Sequence, residues 1–226
     1  DAGRRRRKRR RRYRSGVVRA AAAAVALAVA LTAVGCGEEK ATQSIDHPPT
    51  TTQKSEFRGA ALPDAEPAPD FALHDQDGKL VRLSDQQGKY VLLTFLYTNC
   101  PDVCPLIATN LNTALRQLGA SRDDVRVLAV SVDPKGDTAK AVDAYVRARH
   151  LLPEFRYLIG TPAELHTVWG KYNVAAVRRN PELVDHVAYT VLIDPQGKRR
   201  VIYDSGVKAP QVVHDLHVLM RKEEAA

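Results

Sequence analysis

Two cysteines, Cys100 and Cys104, stand four positions apart in "LYTNCPDVCPLI", residues 96–107, and a proline follows each. Thiols at this spacing can close a structural disulfide, cycle as a redox pair, or hold a soft metal ion. On a helical turn, positions i and i+4 share a face, with Cα atoms about 6 Å apart, inside the usual disulfide range of roughly 4.4–6.8 Å. At a helix N-terminus, unpaired N–H groups and the helix dipole also stabilise a thiolate. Closing so short a loop removes little chain entropy, which counts against a purely structural bridge. The spacing is one residue longer than the C-x-x-C of dithiol reductases.

A third donor would separate metal binding from redox cycling, since two thiolates alone favour linear Cu(I) coordination. The chain has seven histidines. His47 falls in a polar stretch, His74 in a hairpin pattern, and His150 and His166 on helical patterns. His214 and His217, in "HDLH", are read as a solvent face of the last helix. His186, in "LVDHVAYTVLIDPQG", precedes a strand and is expected on a loop that can reach the thiols. Asp102, between the cysteines, either orients them or shapes the turn. Asp133 and Asp137, in "VDPKGDT", are expected to shape a loop and cap a helix, not to act as ligands.

The elements that position these residues follow from periodicity. "FALHDQDGKLVRLSD" alternates apolar and polar residues around "DQDG", a hairpin pattern. "YVLLTFLY", 90–97, is continuously apolar and predicts a strand buried on both faces. A helix over 105–118, a strand over 124–133, a helix from Asp137 or Thr138, a strand near 155–160 and a helix near 162–171 come next. "VAYTVLID", "PQG" and "KRRVIYDSG" predict a terminal hairpin, and 209–221 an amphipathic helix. The order β-α-β-α then β-β-α is that of a thioredoxin-like α/β fold with an added N-terminal β-hairpin and a late β-hairpin insertion. A right-handed β-α-β crossover leaves the C-terminal end of the first strand open beside the helix N-terminus, where the cysteines sit.

The leader distorts the bulk charge. The chain has 34 basic and 26 acidic residues, and residues 1–35 hold 11 and 1 of them. The rest carries 23 against 25, a net charge of −2. The basic balance therefore gives no support to nucleic-acid binding. "RRRRKRRRR", then an apolar run over 20–34, has the form of a secretion signal. That run is shorter than the roughly 20 residues a membrane-spanning helix needs. "AVGC" resembles a bacterial lipobox, with Ala33 where leucine is usual, and implies lipidation at Cys36; an uncleaved anchor or ordinary cleavage nearby are the alternatives. Residues 36–66 are polar and proline-broken, the composition of a flexible tether. As a coil, about 30 residues span roughly 30 Å. Residues 67–226 are then one domain.

"TNCPDVCP", "AVSVDPKGDT" and "VDHVAYTVLIDPQGK", in this order, resemble the SCO/SenC family of copper-binding cytochrome oxidase assembly proteins, from about Pro69 to Met220. The resemblance implies that Cys100, Cys104 and His186 hold one copper ion, Cu(I) or Cu(II). It implies a metallochaperone outside the cell membrane that serves the copper A centre of cytochrome c oxidase subunit II. An upstream copper donor and a thiol reductant would be further partners. Val187 departs from the serine usual after the histidine, which bears on local hydrogen bonding. Soft thiolates with one imidazole suit Cu(I). The same dithiol can instead reduce a partner's disulfide, so a thiol–disulfide oxidoreductase is the second reading. "PDFAL" is shared with peroxiredoxins, on fold-level similarity alone.

Overall fold

The computed structural model describes residues 55–180 and 183–225. The signal segment, Cys36, His47 and the first part of the expected tether lie outside these residues. In chain order the elements are β1 (Ala60–Ala61), β2 (Ala72–Asp75), β3 (Leu80–Arg82), β4 (Tyr90–Leu96), α1 (Val103–Gln117), β5 (Val125–Ser131) and α2 (Ala139–Ala148). Then follow β6 (Phe155–Ile159), α3 (Pro162–Lys171), β7 (Ala176–Arg178), β8 (Val184–His186), β9 (Thr190–Ile193), β10 (Arg199–Tyr203) and α4 (Ala209–Glu224).

All seven residues of β4 are buried. The strand lies at the centre of an eight-stranded sheet of order β1-β10-β9-β4-β5-β6-β2-β3. It pairs in parallel with β5 and antiparallel with β9, so it has no polar edge to show water, and a continuous apolar run follows. The stretch β10-β9-β4-β5, with α1 packed against α4, is the thioredoxin-like core. The β2–β3 hairpin joins through β6 on the far side of β5. Its turn is set by Asp75, whose carboxylate accepts the N–H groups of Asp77 and Lys79, and by Gly78 at φ +76°. Asp194 and Gly197 repeat the device between β9 and β10.

One boundary differs from the sequence reading. The segment ending at 66, expected to be tether, is bound to the sheet from its last third. β1 pairs with β10, and the buried carboxylate of Asp215 accepts N–H groups from Arg58 and Gly59 at 2.7 and 2.9 Å. A side chain at Gly59 would meet Val201 at 2.4 Å, so the chain passes too close for anything larger. The late β-hairpin insertion is a separate two-stranded sheet of β7 and β8.

Candidate metal centre

β4 ends at Leu96, and Tyr97–Asp102 turn the chain into α1. The cysteines do not share a helical turn, as their spacing suggested. Cys100 precedes the helix and Cys104 lies in its first turn. Pro101 biases Cys100 away from the helical region. Asp102, the N-cap, makes no side-chain capping bond. The sulfur of Cys100 acts in its place, accepting the backbone N–H of Cys104 at 3.3 Å. Both thiols are free, with Cys104 fully buried and Cys100 8% exposed.

The pair is electrically asymmetric. A hydrogen bond from the Cys104 thiol holds Cys100 down to about 5, against the pull of burial, and the N–H groups of Asp102 and Cys104 and the Tyr97 hydroxyl act in the same direction. The same bond, together with burial, pushes Cys104 well above the ordinary thiol range. One proton is therefore held between two sulfurs, on the Cys104 side. Such a pair offers a nucleophilic thiolate and two soft donors at one place.

Beneath the pair sits Asp137, which does not cap α2; Thr138 does, accepting the N–H of Ala141 at 3.2 Å. The buried Asp137 carboxylate instead gathers the N–H and hydroxyl of Thr98 at 2.8 and 2.7 Å, the Ser131 hydroxyl at 2.6 Å and the Tyr157 hydroxyl at 3.0 Å. Burial pushes its carboxyl above the usual range, opposed by these four donors. It thus ties the exit of β4, two residues before Cys100, to β5 and β6. Asp133 does shape its loop, accepting the N–H groups of Lys135 and Gly136, and it pairs with Arg178 of β7.

His186 is the last residue of β8, not a loop residue. Its ring stands edge-on to Tyr97, with centroids 5.7 Å apart, and its Nε2 lies 3.1 Å from the carbonyl oxygen of Phe95. The fold brings it to the end of β4 that carries the thiols. It does not close it onto them: among the described residues no three His, Cys, Asp or Glu side chains are grouped to hold a metal. His214 is engaged with the Glu56 carbonyl, so the "HDLH" pair forms no centre either. Val187 is exposed and borders a pocket of about 400 Å³. Sequence reasoning missed Tyr97, which it counted as the end of an apolar run. A hydroxyl at the mouth of that run, three residues before a thiol, was the available signal.

A thioredoxin-like sheet with a thiol–thiolate pair at the N-terminus of α1 defines a dithiol protein suited to soft metals or thiol exchange. The chain belongs to the SCO1/SenC family, whose profile matches residues 60–221. The SCO2-like protein of Rickettsia felis is 30% identical over 135 residues, 57% of this chain and 65% of that protein, so the match spans just under two thirds of its length. The solution structure of apo Sco1 from Thermus thermophilus is 37% identical, with a TM-score of 0.63, covering 72% of this chain and 96% of that one. Bradyrhizobium japonicum ScoI with copper bound is 31% identical, with a TM-score of 0.60, covering 67% and 98%.

Proposed function

We propose that this protein is a metallochaperone that carries one copper ion as cargo, bound by Cys100, Cys104 and His186, for the copper A centre of cytochrome c oxidase subunit II. The observation that carries the reading is the pair of buried, unlinked thiols at the helix N-terminus, where the Cys104 N–H is donated to the Cys100 sulfur. Its donor chemistry fits Cu(I), and the relative from Bradyrhizobium japonicum has been solved with copper. With the Nε2 of His186 against the Phe95 carbonyl, Nδ1 is the ring nitrogen left to join the two sulfurs. A centre with three protein donors stays open for exchange with an incoming thiol pair, unlike the closed four-donor sites that retain structural zinc.

Anaerobic copper titration of the domain, reduced and oxidised, tests this. The reduced form should take up one ion and the disulfide form little, because a sulfur committed to a disulfide is no longer a thiolate ligand. Tight, equal uptake by both forms would place copper elsewhere.

A second reading rests on the same asymmetry. The Cys100 thiolate attacks a partner's disulfide, forming a mixed disulfide and releasing one partner thiolate. Cys104 then loses its proton and attacks Cys100, freeing the second partner thiol and leaving the pair oxidised, a two-electron exchange. This activity would survive His186→Ala, whereas copper carriage would not.

The tether and anchor extend the first reading. Lipidation at Cys36, with residues 1–35 as signal, would hold the domain on the outer face of the membrane. Among the described residues no helix is long and apolar enough to cross a membrane. Membrane fractionation of Cys36→Ser tests the anchor: the variant should leave the membrane fraction or remain unprocessed.

A further inference from the structure

Seven tyrosines lie among the described residues. Six turn their hydroxyls to oxygen: Tyr90 to Glu223, Tyr145 to the Cys104 carbonyl, Tyr157 to Asp137, Tyr172 to the Pro69 carbonyl, Tyr189 to the Tyr172 carbonyl and Tyr203 to Asp215. Tyr97 differs. Its side chain, three residues before Cys100, is almost wholly buried, and its oxygen accepts the backbone N–H of Val184 at 3.4 Å. Val184 begins β8, two residues before His186. The ring of Tyr97 lies edge-on to the imidazole. One side chain, at the exit of β4 toward the thiols, thus touches both the strand that bears the histidine and the histidine itself.

We infer that Tyr97 is a positioning residue that seats the His186 strand against the Cys100–Cys104 pair. β7 and β8 pair only with each other, three residues on three, so no bond of the main sheet sets their distance from the thiols. The Val184 N–H to Tyr97 hydroxyl bond, beside the His186 contact with the Phe95 carbonyl, supplies that link from the end of β4. The role deepens the proposed copper reading and rests on it for the metal, but the seating of β8 is independent of copper.

Two measurements on Tyr97→Phe, which keeps the ring and removes the hydroxyl, test the inference. In metal-free reduced protein, amide exchange at Val184 should quicken by about tenfold, the order expected for one hydrogen bond, while amides of β4 keep their rates. A lesion of the fold would quicken both. In a double-mutant cycle with His186→Ala, Tyr97→Phe should weaken Cu(I) binding by about three- to tenfold when His186 is present. It should cost little more when the histidine is gone. Unchanged Val184 exchange, or the same affinity loss in both backgrounds, would overturn the inference. Should His186→Ala leave copper affinity intact, the copper reading fails, and Val184 exchange alone decides the role of Tyr97. If Tyr97→Phe does not fold, the parent decides: a Val184 amide that exchanges as fast as an unbonded one contradicts the seat.

Discussion

Cys100 and Cys104 hang from β4 and α1, whereas His186 ends a hairpin of two three-residue strands. β4 is buried along its whole length and paired on both sides. The loop after it is clamped by the four bonds of Asp137. The hairpin leaves Val177 of β7 and Leu183 and Val187 beside β8 exposed, and in β8 only Val184 is buried. Among the described residues its ties to the rest include Arg178 to Asp133, Val184 to Tyr97 and His186 to Phe95. The thiols are placed by the core. The imidazole is docked on it. For the copper carrier proposed above, which would take up its cargo and give it away, this division would suit the task.

The largest break in this comparison should come from the thiols. Cys104→Ser removes a soft donor and the proton partner of Cys100, and the reduced domain should then lose stoichiometric copper during a chelator wash. Metal analysis of the washed protein checks this.

Acid should act next, and on the same half of the site. With the Cys100 thiol held near 5, it is a thiolate at neutral pH. Alkylation of the reduced domain should be level above about pH 6 and fall by about tenfold per unit well below 5, as the thiolate protonates. Cys104, buried and pushed above the usual range, should stay unmodified throughout. Peptide mapping after timed alkylation separates the two.

On the docked half, His186→Ala should weaken Cu(I) binding by at least about 10–100-fold, a loss seen even for outer-shell partners of metal ligands. The thiols should still form their disulfide. Chelator competition and a free-thiol count give the two readouts.

Stability should show the contrast on a smaller scale. Asp137→Ala strands the Thr98, Ser131 and Tyr157 donors in the core and should cost about 2–3 kcal/mol. Asp185→Ala in the hairpin removes an exposed pair with Arg179 and should cost no more than about 1 kcal/mol. Urea denaturation of both variants measures the difference.

The same division governs what the sequence made legible. "YVLLTFLY" announced β4 because a strand buried on both faces needs no polar positions. The helix expected near 162–171 is α3, and what starts it is a capping box of Thr161 and Glu164 around Pro162. The start of α1 was expected at 105 but falls at 103, since Pro105 fits the first turn, where a missing N–H costs nothing. The role of Asp137 was misread because Thr98, Ser131 and Tyr157, up to 39 positions away, converge on it only in the folded chain. The hairpin left no periodic trace. Strands of three residues are too short to alternate visibly, and what pins them is contact with Tyr97, Phe95 and Asp133 across the chain. The chemistry of the thiols was readable from spacing; the seat of the histidine was not.

X-ray absorption at the copper edge, on the reduced domain loaded with one Cu(I), tests the central claim most directly. The account predicts two sulfur scatterers and one imidazole nitrogen, with the imidazole signal lost in His186→Ala while both sulfurs remain. A spectrum with no imidazole, or one that His186→Ala leaves unchanged, would contradict it.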